Sequence, residues 1–109
     1  MAYDETLADR IRAVVIDQPG IDEKKMFGGL AFLLNGNMAA GVSSSNLIVR
    51  LHPDDYQAAL AQPGAAVFDM TGKPMKGWVL VDSAVLDDDA ELERWVKQGI
   101  QFAGSLPPK

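Results

Sequence analysis

The chain has no cysteine and only one histidine among its 109 residues. The first absence removes disulfides, thiolate nucleophiles and thiolate metal sites together. The second makes any histidine-based catalysis or metal site depend on His52 alone. A long apolar run is also missing. The N-terminal MAYDETLADR carries charges where a signal peptide needs hydrophobic residues, and no later stretch approaches the ~18 residues of a membrane span. The expectation is a cytoplasmic domain with no membrane partner. Positive charge is scarce as well: the formal net charge is −5 and the pI about 4.6. Phosphate contacts need clustered Lys and Arg, so direct DNA binding is not expected.

Enough apolar material is present for an ordinary core. Hydrophobic residues make up 48% of the chain, and a single domain of this length buries about two-thirds of its unfolded surface. Residues 1–109 are therefore read as one domain. Its charge is unevenly spread. Asp4, Glu5, Asp9, Asp17, Asp22 and Glu23 load the first 23 residues, and Asp82, Asp87, Asp88, Asp89, Glu91 and Glu93 load the last third. The middle holds Lys24, Lys25, Arg50, Lys73 and Lys76 against only Asp54, Asp55 and Asp69.

Tyr3, Leu7, Ile11, Val14 and Val15 recur at helical spacing, with the charges between them, and Pro19-Gly20 stops the pattern. A first amphipathic helix follows. MFGGLAFLL and MAAGV flank Asn35-Gly36, a pair suited to a turn that needs positive φ at both central residues. They predict two antiparallel strands, and NLIVRL, after a serine turn, predicts a third. HPDDYQAALAQPG predicts a short helix with Pro53 at its first position. AAVFDM and GWVLV predict two more strands around a turn-rich TGKPMKG. The acids Asp87 to Asp89 open a last helix whose stripe is Leu92, Trp95, Val96, Ile100 and Ala103. The order is helix, three strands, helix, two strands, helix: an α+β domain with an antiparallel sheet.

No catalytic constellation emerges. The glycines of KKMFGGLAFLLNGNMAAGV open a hairpin, whereas a dinucleotide fingerprint joins a strand to a helix. Gly72-Lys73 is followed by Pro74, so the P-loop pattern fails too. Gly28 and Gly29 are read as shaping the first strand. His52, just before Pro53, is placed to cap a free amide. Without a second histidine or a cysteine, a metal site would need carboxylates alone, and no metal or cofactor is expected. Ser43, Ser44 and Ser45 read as a turn, and Trp78, Trp95, Phe27, Phe32 and Phe68 as core. What remains is the basic set Lys24, Lys25, Arg50, Lys73 and Lys76, a candidate anion-binding face if the strands bring it together.

KKMFGGLAFLLNGNMAAGV, LIVRL, GKPMKGWVLV and WVKQGIQFAGSLPPK, in this order, resemble the N-terminal domain of the TfoX/Sxy proteins. The resemblance spans nearly the whole chain and rests on the spacing of MFGG, NGNM, GKPM-x-G and SLPPK. It implies a two-layer, secretion-chaperone-like domain with the element order just given. It also points to regulators of natural competence that work with the cyclic-AMP receptor protein. Their second, C-terminal domain has no counterpart among these residues, and the resemblance supplies no catalytic residue. The expected function is a small non-enzymatic regulatory or adaptor domain acting through protein contacts, with homodimerisation through an open sheet edge. The alternative is an anion- or nucleotide-binding module using the basic set. An enzyme relying on carboxylates is a third reading.

Overall fold

The computed structural model describes residues 3–26, 28–69 and 74–108. Helix α1 (Glu5–Val14) starts where the Asp4 carboxylate accepts the amides of Thr6 and Leu7, and it buries Leu7, Ala8 and Ile11. Strands β1 (Ile21–Met26), β2 (Gly29–Leu34), β3 (Asn37–Ser43) and β4 (Asn46–Arg50) then form an antiparallel meander. A 3-10 turn (Pro53–Asp55) runs into helix α2 (Tyr56–Leu60). Strands β5 (Ala65–Asp69) and β6 (Pro74–Val81) follow, then a single-turn helix α3 (Ser83–Leu86) and the long helix α4 (Asp89–Gly104). The fold is α+β with one open sheet in the order β1-β2-β3-β4-β6-β5.

The Asn35-Gly36 turn takes the expected form, with φ of 52° and 87°. It sets the register Leu34↔Asn37. Asp88 caps α4 by accepting the Ala90 amide, and Asp82 caps α3 by accepting that of Ala84. The stripe of α4 is buried as its spacing predicts, with Trp95 and Val96 at full burial. Each such large side chain contributes roughly 1.5–3 kcal/mol.

Four details differ from the sequence reading, one of them the single-turn helix α3 before the expected last helix. A fourth strand, β1, precedes the expected three. Its IDEKKM has no apolar alternation because it is an edge strand, and a charged edge strand resists pairing with other chains. The expected first strand does not run through MFGG; Gly28, with φ of 72°, lies in the turn joining β1 to β2. β6 starts at Pro74, inside the expected connection, and absorbs Gly77 with φ of 89° as an irregularity where Leu51 N–H donates to the Gly77 carbonyl at 2.6 Å. Phe27 and Lys73 lie outside the described residues.

Alternation along the strands gives the sheet two unlike faces. One holds Phe32, Val42, Leu47, Val49, Val79 and Val81, packed beneath α1, α2 and α4 as the main core. The other gathers Ala31, Met38, Ile48 and Phe68 with the half-buried Leu33, Trp78 and Leu80. Every one of these comes from a strand. Helix α4 sits close on β3: a Cβ added at Gly99 would fall on the Ala39 carbonyl oxygen and within 3.4 Å of Val49 Cγ1. This close seat of α4 on the sheet positions the features described next.

Candidate functional site

The basic residues are spread across the sheet. Lys24 pairs with Ala31 and Lys25 with Leu30, so the two side chains leave edge strand β1 on opposite faces. Arg50 ends β4, with β2 and β3 between it and β1. At the usual strand spacing that is roughly 14 Å across the sheet. Lys76 is exposed on β6, the strand beside Arg50. Of the four described members, only Arg50 and Lys76 fall on neighbouring strands.

Arg50 stands apart from the other arginines. Arg10 pairs with Asp89 at 2.7 Å and also donates to the Leu86 carbonyl. Arg12 holds Asp9 and Glu23, and Arg94 holds Glu91. Arg50 has no carboxylate partner among the described residues. Its half-buried guanidinium instead lies over two rings, 5.4 Å from the centroid of Trp78 and 5.2 Å from that of Phe102. Cation–π attraction at such range fixes the group while leaving its N–H edges unspent.

Phe102 belongs to α4 and also meets His52 edge-on, ring centroids 5.9 Å apart. Beyond Trp78 the aromatic chain continues to Phe68 at 6.2 Å. The belt Phe68, Trp78, Arg50, Phe102 and His52 therefore runs from the second face of the sheet to a cleft between α2 and α4. The cleft has a volume of about 450 Å³. Leu51 and Ala59 form its apolar floor, Gln98, Gln101 and Phe102 one wall, and His52, Asp55 and Gln62 the other. That volume falls in the range of small-molecule sites.

His52 behaves as a cap, as its place before Pro53 suggested. Its Nδ1 accepts the Asp54 amide at 3.0 Å. The neutral ring therefore carries its proton on Nε2, as a donor. Ser44 takes φ of 56° and bridges to Tyr3, which is structural work. Trp95 is wholly buried, and its indole N–H finds no acceptor in the core. Among the described residues, no three His, Asp or Glu side chains come together as metal ligands.

The perturbed titrations lie elsewhere, at ion pairs. Hydrogen bonding to Arg12 holds the Glu23 carboxyl below the usual range despite partial desolvation, and Arg94 does the same for Glu91. The Arg12–Glu23 contact ties α1 to β1 through two hydrogen bonds of 2.7 Å. These pairs are structural clasps at the surface.

The sequence marks Arg50 as one of the basic set, while Phe102, Gln98 and Gln101 carry no such mark. Phe102 lies outside the regular stripe of α4, and nothing local marks it as a partner of a strand 52 residues away. The available signal was Arg50 itself, an arginine inside a strand with no acid next to it.

Against known families, the model for the TfoX N-terminal domain matches residues 15–103. No curated protein matches the chain. No helix is long and apolar enough to cross a membrane.

Proposed function

Since the chain belongs to the TfoX N-terminal domain family, we propose that it is a small non-enzymatic regulatory or adaptor domain acting through protein–protein contacts in the cytoplasm. The observation that carries this reading is the second face of the sheet. Among the described residues it gathers Leu33, Met38, Ile48, Phe68, Trp78 and Leu80, all from strands, into an apolar cluster in which Met38, Ile48 and Phe68 are buried and Leu33, Trp78 and Leu80 stay partly exposed. An antiparallel sheet can leave one face to water, and such a face is then normally polar. The partly exposed apolar side chains here, Leu33, Trp78 and Leu80, suit a contact surface.

Self-association is the simplest contact, and light scattering on a size-exclusion column measures it directly. A dimer abolished by Leu80→Glu supports homodimerisation through this face; a monomer at high concentration sinks it. For the adaptor role, affinity capture is run in parallel with wild type and a Leu33→Glu, Leu80→Glu double variant. A protein held by the first and released by the second supports the reading. Identical captures from both would refute it. The link to natural competence follows from the resemblance alone, and transformation frequency in a deletion strain tests it.

A further inference from the structure

We propose that Arg50, Phe102 and the cleft between α2 and α4 form a binding site for a small monocarboxylate. Its carboxylate would sit on the Arg50 guanidinium, and the rest of the molecule would lie along Phe102 into the cleft beside Gln98 and Gln101.

Four observations lead there. In a chain with 15 acidic and 10 basic residues, Arg10, Arg12 and Arg94 all hold carboxylates of the chain itself, while Arg50 holds none among the described residues. An arginine left without an internal anion, yet fixed against two rings, presents an ordered fork of donors to an external one. Guanidinium edges match the plane of a carboxylate and bind it through two parallel hydrogen bonds. Second, Phe102 is common to both parts of the site: its ring carries Arg50, and it walls the cleft. Third, the cleft is lined by neutral amides on α4 over a floor of Leu51 and Ala59. Such a lining suits an uncharged body of a few apolar and polar atoms. Fourth, His52 lines the cleft against Phe102, and with Nδ1 taken by the Asp54 amide its free ring nitrogen is Nε2.

Charge selects among oxyanions. Asp55 stands in the cleft wall and the whole chain carries a net charge of −5. A phosphate dianion meets that repulsion twice over, and a nucleic-acid strand many times over, whereas a monocarboxylate meets it once. The site shares Trp78 with the second face of the sheet, but its cleft is lined by other residues, so carboxylate binding is read separately from the partner contacts of the adaptor reading.

The probes are acetate, butyrate and benzoate, with inorganic phosphate and phenyl phosphate as the competing anions. Binding is read on the intact chain by amide chemical shifts in a titration. Tryptophan emission provides a second reading, since Trp78 touches Arg50 while Trp95 is sealed in the core. Saturable shifts centred on Arg50, His52, Gln98 and Phe102 are expected, strengthening from acetate to benzoate. A Kd of about 1 mM for benzoate is reasonable for so small a ligand. Phenyl phosphate should bind more weakly. Arg50→Lys keeps the charge and loses the fork, and should weaken benzoate at least ~10-fold. Gln98→Leu, one turn along α4 from Phe102 and outside the sheet, should weaken benzoate without affecting acetate, and it decides the question should Arg50→Lys fail to fold. No saturable response from any carboxylate at about 10 mM would overturn the proposal. So would tighter binding of phosphate, shifts centred on Lys24 and Lys25, or benzoate affinity unchanged in the variants.

Discussion

Replacing Gly99 by alanine tests the packing that holds the whole arrangement in place. On helix propensity alone the change should help, since alanine is favoured over glycine inside a helix by about 1 kcal/mol. The surroundings reverse the sign. The new methyl would land on the carbonyl oxygen of Ala39, with the Ala39 carbonyl carbon 3.0 Å away. That obstacle is backbone of β3, a strand paired on both sides by β2 and β4, so it cannot turn aside as a side chain could. Overpacking against a rigid partner costs typically 1–3 kcal/mol, and here the upper end applies. The net loss is then about 2 kcal/mol, equivalent to a fall in Tm of about 10 °C for a domain of this size. Gly104→Ala is the control: its Cβ would meet only Leu34 Cδ2, at 3.3 Å, the end of a flexible side chain. It should leave Tm unchanged or slightly raised. Phe102 lies one turn beyond Gly99, so lifting α4 also moves its ring relative to Arg50. Thermal and urea denaturation of the two variants measures both effects. A Gly99→Ala protein as stable as wild type would refute this account of how α4 seats on the sheet.

Three other outcomes are expected. Glu23 has a lowered folded-state pKa, so its stabilisation is complete above the ordinary glutamate pKa of about 4.3 and is lost as pH falls through the lower, folded value. Glu23→Gln should flatten that part of the acid-unfolding curve. The effect at neutral pH should stay below about 1 kcal/mol because both partners are partly exposed. Asn37 is buried and its Nδ2 donates to the Pro107 carbonyl at 2.9 Å. Asn37→Ala should cost about 1–2 kcal/mol and release protection of the C-terminal residues, measured by hydrogen exchange. Gly36→Ala forces a Cβ into the left-handed region and should lower stability by about 1–2 kcal/mol in urea titrations.

Much of the fold was legible because local rules and the final packing agree. The Asn35-Gly36 hairpin, the Asp88 cap and the buried stripe of α4 follow from neighbours within one turn or one hairpin. What escaped depends on partners far along the chain. Strand β1 is written in charges because it borders solvent, so periodicity had nothing to detect. The candidate site escaped for the same reason. Lys24, Lys25, Arg50 and Lys76 look alike as charges in a sequence, yet strand order and alternation separate them. Arg50 gains its character from Trp78 on another strand and from Phe102 on a helix.

The strand order has one further consequence. Every neighbouring pair in the sheet is consecutive in the chain except β4 and β6, whose register runs from Leu47↔Val81 to Arg50↔Trp78. The sheet is thus two local assemblies, a four-strand meander and a hairpin, zipped along a single seam. Closing that seam spans the residues between Arg50 and Trp78, whereas the hairpins of the meander close over short turns and meet a smaller entropic barrier. Folding should therefore begin in β1 to β4, and the hairpin of β5 and β6 should be the first to detach under native conditions. Its amides would then exchange with solvent ahead of those in β2 and β3. Because Trp78 lies on that seam and Trp95 in the core, the two indoles would follow the separate steps of assembly.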